Sequence, residues 1–202
     1  MKINRVFYDK KTKEYSIEID DGNFIKVIED TLVKCDLRKN KEISEEDLEK
    51  ILFEDNKYRS INLSLKYLRK LRSEFEMRSY LRDKEIDSDT IDITIEYLKE
   101  FNYINDKNYA ESFSRDKLYI NKYGPEKIKI YLLQKGISKN LISEALNKLD
   151  ENLIRENLIT EGKRKVLSLE DDKKLYEKTI RFLLNKGYSY DMIKSSLEEV
   201  GL

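Results

Sequence analysis

The chain has 202 residues, 39% of them hydrophobic and 40% charged, with 40 basic side chains balanced by 40 acidic ones. That length allows one or two domains with a sizeable core, and the charge load suits long solvated helices better than a compact sandwich. Histidine is absent and Cys35 is the single cysteine, which excludes His-based triads, histidine proton relays, His-containing zinc sites and an internal disulfide, and suits a reducing compartment.

In chain order, residues 3–9 and 15–20 carry strand-forming residues with partial alternation, joined by a Lys-rich turn. The Asp-Gly of "DDGNF" (20–24) then turns the chain into a third short apolar run, "FIKVI". A short helix is expected at 30–37. Ser44 is placed to cap the next helix, with Asp47 three residues on completing a capping-box variant. Residues 1–56 thus read as a β-hairpin module plus two helices, and the hairpin needs packing partners to be stable. No apolar run reaches the roughly 18 residues of a membrane span and no signal peptide is expected, so the reading is cytoplasmic, with no membrane partner.

From residue 57 the pattern is helical and repeats every 51 residues. "YLRDKEID" (80–87), "YLLQKGIS" (131–138) and "FLLNKGYS" (182–189) align without gaps. So do Ile91, Ile142 and Ile193, and Leu98, Leu149 and Val200, an amphipathic-helix stripe. Each repeat reads as three helices: 57–71, 74–84 and 88–101; 106–121, 125–135 and 139–149; 152–167, 172–186 and 190–200. The expected fold is mainly α, with tandem three-helix repeats at 57–105, 106–150 and 151–202 in an elongated curved array behind the hairpin module. Gly136 and Gly187 stand where a left-handed residue closes a helix, and Asp87, Ser138 and Ser189 can cap the helix that follows. In the first copy Glu85 replaces the glycine, at an expected cost of about 1 kcal/mol if the geometry is kept.

Overall neutrality hides a gradient. Residues 1–56 carry a net charge of −4 and residues 57–150 a net charge of +4. Two basic windows stand out, 57–84 and 115–139, interleaved with Tyr67, Tyr80, Tyr119, Tyr123 and Tyr131. Arg69, Arg72, Arg78 and Arg82 in the first window are candidate interface residues, as are Arg115, Lys117, Lys122, Lys127, Lys129 and Lys135 in the second. Such residues suit phosphates or an acidic protein surface; the tyrosines at 80 and 131, set beside leucines, read as core.

No catalytic constellation, cofactor site or metal site emerges. "NLITEGKRK" (157–165) fails as a phosphate loop, because Asn157 replaces the first glycine and Arg164 the metal-binding hydroxyl residue. "SEED" (44–47) and "LEDD" (169–172) read as helix N-termini that favour negative charge. A carboxylate–metal nuclease built on Glu170, Asp171 and Asp172 is the weakest of three readings. A direct DNA-binding helical repeat resembling helix-turn-helix domains is a stronger one.

The segments "YLRKLRSEFEMRSYLRDKEID", "IEYLKEFNYINDKNYAESFSRDKL" and "NKYGPEKIKIYLLQKGIS" resemble the RecX family of regulators of the RecA recombinase. The joint pattern comprises Arg72-Ser73-Glu74, Arg78, Leu81, Asp106, Tyr109-Ala110, Phe113, Arg115-Asp116, Gly124-Pro125 and Lys135-Gly136-Ile137. The amino-terminal hairpin resembles the extension of long Gram-positive members. Asn102 and Glu85 depart from family glycines, both at helix ends. The resemblance implies a non-enzymatic, monomeric regulator that binds the RecA–DNA filament, inhibits RecA's ATPase and strand exchange, and limits or disassembles filaments. DNA would be met directly or within the filament.

Overall fold

The structure, a computed structural model, describes residues 1–20, 22–169 and 172–202. The first apolar runs form β1 (Ile3–Asp9), β2 (Glu14–Ile19) and β3 (Phe24–Val27), an antiparallel sheet in the order β1-β2-β3. Ile3 pairs with Ile19 and Asp9 with Glu14, with a bulge between Ile3 and Arg5; Tyr15 pairs with Val27 and Glu18 with Phe24. Strand alternation sends Ile17, Ile19 and Val27 to one face, where they are buried with Ile3, Leu37, Ile43 and Ile51. The third strand, α1 (Glu29–Lys34) and α2 (Glu45–Tyr67) supply the packing partners the hairpin lacks by itself.

α2 starts with the expected capping box. The Asp47 amide donates to Ser44 Oγ at 3.0 Å and the Ser44 amide to Asp47 Oδ2 at 2.9 Å. It does not stop near residue 55. It runs unbroken for 23 residues, so one helix serves both the amino-terminal module and the first repeat. Asp55, buried in its middle, accepts from the Ile28 amide (2.9 Å), Thr31 Oγ1 (2.8 Å) and Arg59 Nε (2.5 Å). Arg59 also reaches Glu14 on β2. Burial opposes the Arg59 charge, but hydrogen bonds to Asp55 and Glu14 outweigh it and hold the guanidinium more firmly protonated than usual. On the same helix Ser60 accepts from Thr94 Oγ1 at 2.9 Å.

The remaining helices are α3 (Glu74–Asp83), α4 (Ser88–Glu100), α5 (Asp106–Tyr119), α6 (Pro125–Gln134), α7 (Lys139–Asn147), α8 (Glu151–Leu167) and α9 (Leu175–Lys186). The final helix expected over 190–200 is instead two short pieces, α10 (Tyr190–Lys194) and α11 (Leu197–Val200). Ser195 and Ser196 fall at the break, and Ser195 Oγ donates back to Met192 O at 3.0 Å, a local bond that competes with continued helix. The 51-residue period is a packing period: Leu81, Leu132 and Leu183 are fully buried, as are Met77, Ile128 and Thr179.

The repeated octet ends each second helix in the same way. The Ile86, Ile137 and Tyr188 amides donate to Leu81, Leu132 and Leu183 carbonyls at 3.1–3.2 Å, and the residue before each is left-handed. Glu85 keeps that conformation without a glycine (φ 60°), and Asn102 does the same at the end of α4 (φ 56°). Two compact units result: residues 1–70 with 77–103, and residues 71–76 with 104–202. The core of the second includes Tyr109, Leu118, Ile128, Leu132, Leu158 and Leu183.

Candidate functional site

In the first unit Arg78 and Arg82 share a face of α3, as their spacing predicts, and line a small cavity with Ile86, Ser88 and Ile91. Arg78 Nη1 is held 2.5 Å from Asp92 Oδ1. Arg82 is exposed, and so is Arg69 in the turn after α2. Tyr80 stacks parallel on Tyr67 with ring centroids 4.0 Å apart, and Lys84 lies over its ring at 5.8 Å. Tyr80 is thus occupied by packing.

The second unit shows what the octet and the Arg-Ser-Glu segment do. Ser73 Oγ donates to Lys135 O at 2.7 Å, Lys135 Nζ sits 2.7 Å from Glu76 Oε1, and Phe75 covers Gly136 so closely that a Cβ there would stand 2.4 Å from Phe75 Cβ. The same joint recurs one period later. The Gly124 amide donates to Lys186 O at 2.9 Å, the Glu126 amide to Gly187 O at 3.1 Å, and Lys127 Nζ to Asn185 O at 2.9 Å. A Cβ on Gly187 would stand 2.4 Å from Lys127 N. Ser73 and Gly124 are repeat equivalents, as are Lys135 and Lys186. The segments that start α3 and α6 therefore seat on the ends of α6 and α9, positive dipole end to negative.

Each joint holds a glutamate, and the one in the first joint, Glu76, is half-buried. Burial of Glu76 favours its neutral form, but the Lys135 hydrogen bond, the Ser73 amide and the charges of Lys135 and Arg72 hold its pKa below the usual value. In the second joint the glutamate is Glu161, which is buried and pairs with Lys186 at 2.9 Å and Arg164 at 2.6 Å. Because the native pKa of Glu76 is depressed, its contribution is complete above the unfolded value of about 4.3 and is lost as pH falls below it. The stability difference between wild type and Glu76→Gln is therefore expected to be full at pH 6 and to shrink toward pH 3 in urea titrations. A difference independent of pH would remove Glu76 as the acid-sensitive group.

The other predicted residues divide by what holds them. Lys127 lies 4.4 Å from the Tyr123 ring centroid and Lys186 5.4 Å from the same ring, while Lys117 lies 5.2 Å from Phe113. Tyr131 packs against both Tyr123 and Phe113. Lys122 occupies a left-handed turn (φ 52°) and its carbonyl accepts from Tyr188 Oη at 2.9 Å. Lys129 is exposed, 3.7 Å from Glu126. Arg115 is exposed on α5 near Lys148, which pairs with Glu111 at 2.7 Å. Lys127 and Lys135 thus hold joints together, Arg72 sits 3.7 Å from Glu76, and Arg69, Arg82, Arg115 and Lys129 face solvent. Sequence reasoning missed Glu76, Glu161 and the use of Lys186; the 51-residue offset from Lys135 points to Lys186, but Glu76 aligns with Lys127 and Glu161 with Ala110, so no repeat signal marks the glutamates.

The failed phosphate-loop segment lies within α8, where buried Asn157 donates to Leu118 O at 3.0 Å and Gly162 meets Val200. Of the acidic trio, Glu170 and Asp171 lie outside the described residues; Asp172 binds Lys178 at 2.5 Å. Among the described residues no group of three or more Cys, Asp or Glu could hold a metal ion, and no helix is long and apolar enough to cross a membrane.

Three family models match the chain in order: the RecX first three-helix domain over residues 62–98, the second over 105–146 and the third over 155–197. The chain is 37% identical over 201 residues to the regulatory protein RecX of Streptococcus uberis, covering 96% of this chain and 75% of that one. It is 33% identical over 204 residues to that of Clostridium botulinum strain Eklund 17B, covering 98% and 95%. A crystal structure of a regulatory protein RecX superposes with a TM-score of 0.80 over 96% of this chain and 97% of that one, at 23% identity, a likeness of fold. RecX from Lactobacillus salivarius superposes with a TM-score of 0.68 at 33% identity, over 73% of this chain and 97% of that one. Three-helix units in the right order, joined through the octets and matched along nearly the whole length, place the chain in the RecX family of regulatory proteins.

Proposed function

We propose that this chain is a non-enzymatic regulator of homologous recombination and DNA repair that binds the RecA–DNA filament as a monomer, inhibits RecA's ATPase and strand exchange, and limits or disassembles filaments. Membership of the RecX family carries the reading. The residues fit it: the three repeats, taken as 57–105, 106–150 and 151–202, are built for contact rather than chemistry, and successive repeats bearing cations suit a partner whose binding sites also repeat. Arg69 and Arg82 on the first repeat, and Arg115, Lys117, Lys122 and Lys129 on the second, are the contact residues. Arg72, Lys127 and Lys135 act through the joints, and Arg78, paired with Asp92, lies on the same helix face as Arg82.

Reversing Arg69 and Arg82 together to glutamate is expected to raise the concentration needed for half-inhibition of RecA ATPase on single-stranded DNA by about tenfold, with little change in melting temperature. Unchanged inhibition by the folded variant would take this face out of the mechanism. The exposed cations Arg69, Arg82, Arg115 and Lys129 also suit a second reading, direct DNA binding without RecA. Binding to bare DNA with a steep salt slope, together with no effect on RecA, would select it.

A further inference from the structure

The solvent face of the amino-terminal sheet meets the first repeat at one end, where Glu14 pairs with Arg59, and carries a different set of side chains at its middle. The pairing Arg5–Glu18–Phe24 lies beside the pairing Phe7–Ser16–Lys26. With strands about 4.8 Å apart and alternate residues about 6.7 Å apart, the four outer positions form a patch of roughly 10 by 7 Å. Arg5 and Lys26 occupy one diagonal and Phe7 and Phe24 the other. Phe24 is 56% exposed and Phe7 39%. Their rings meet edge to face with centroids 6.2 Å apart, and the Arg5 guanidinium lies 5.3 Å over the Phe7 ring. The core of this module forms on the opposite face, from Ile17, Ile19 and Val27, so the phenylalanines lie outside it, packed on each other beside Ser16, which is 5% exposed. Beyond the patch the β1–β2 turn adds exposed Lys10, Lys11 and Lys13.

The geometry points to this face as a binding platform for single-stranded DNA. Exposed aromatic rings on a sheet accept unstacked bases, and cations set between them meet the phosphates that flank each base. Duplex DNA offers no free base faces to the rings, and an acidic protein surface would use the cations but leave both phenylalanines without a role. Glu18 is the one acidic side chain within the patch and opposes the ligand. The choice of DNA over RNA rests on the proposed role in recombination.

The test uses the full chain and a 15-residue oligothymidylate, without RecA. The chain has no tryptophan, so Phe24→Trp supplies a single reporter whose emission is expected to fall by about half or more as bases stack on it. In fluorescence anisotropy, the double variant Phe7→Ala/Phe24→Ala is expected to bind at least tenfold more weakly. Arg5→Ala/Lys26→Ala should flatten the slope of log K against log salt by about 1.4, two phosphate contacts on a single strand. Glu18→Gln should tighten binding a few-fold. Unaltered indole emission from the Phe24→Trp variant at saturating oligonucleotide, or unaltered affinity in the double alanine variant, overturns the platform; tighter binding of an oligouridylate overturns its assignment to DNA. The functional reading fails separately, in the wild-type RecA ATPase assay.

Discussion

Replacing Gly187 by alanine is expected to lower the stability of the second unit by about 3 kcal/mol and its melting temperature by about 10 °C. Two effects add. The residue is left-handed (φ 92°), which strains any side chain, and the new Cβ would stand 2.4 Å from both the Lys127 amide nitrogen and its Cβ. The nitrogen belongs to the first turn of α6, so relief requires withdrawing α6 from the end of α9 and breaking the bonds from the Gly124 and Glu126 amides to Lys186 and Gly187. Gly136→Ala should destabilise less, because the obstacle is the Phe75 side chain. Glu85→Gly should do the opposite and stabilise by up to about 1 kcal/mol, since it relieves a left-handed glutamate. Differential scanning calorimetry of the three variants decides the matter. If Gly187→Ala and Glu85→Gly shift the transition by similar small amounts, the joint does not carry the load assigned to it.

The same contrast explains the one irregular octet. Glycine is present at 136 and 187, where another segment closes over the helix end, and absent at 85, which is exposed. The left-handed turn alone is tolerated by glutamate; the close approach is not. Helix boundaries at these places were legible because each is set by neighbours in sequence: the Ser44 capping box, the Ser138 and Ser189 caps, and the residue after each Lys135 or Lys186. The joints were not legible, because a bond from residue 73 to residue 135 leaves no local trace, and only comparison of the two joints exposes the 51-residue rule. In the sequence α2 reads as two helices because its buried stripe runs through Asp55, Ser60 and Ser64, polar residues that interrupt an apolar pattern without leaving the core. α8 hides its register likewise, burying Asn157, Glu161 and Gly162. The candidate interface was legible as composition only. Spacing put Arg78 and Arg82 on one face, but nothing in the sequence marked Lys135 for Glu76 or Lys127 for Asn185, since both partners belong to another repeat.

Asp55→Ala should have the largest effect in the first unit, a loss of about 4 kcal/mol. The carboxylate is the common acceptor for the Ile28 amide at the start of α1, the Thr31 hydroxyl and the Arg59 guanidinium. Removing it leaves a half-buried amide and a buried hydroxyl without their partner and Arg59 with Glu14. Asp55→Asn keeps the shape and an acceptor oxygen but loses the charge, and should cost about half as much. Where the damage spreads is the more informative result. α2 carries Asp55 toward α1, Arg59 toward Glu14 of β2 and Ser60 toward Thr94 of α4, so loosening its middle is expected to speed hydrogen exchange in β1–β3 and in α4 together, while amides of α5 and α6 keep their protection. Faster exchange confined to the sheet would make the amino-terminal module an appendage. Coordinated loss would make it part of the first repeat's fold, with α2 as the shared element that lets the sheet's exposed face and the Arg82 surface ride on one cooperative unit.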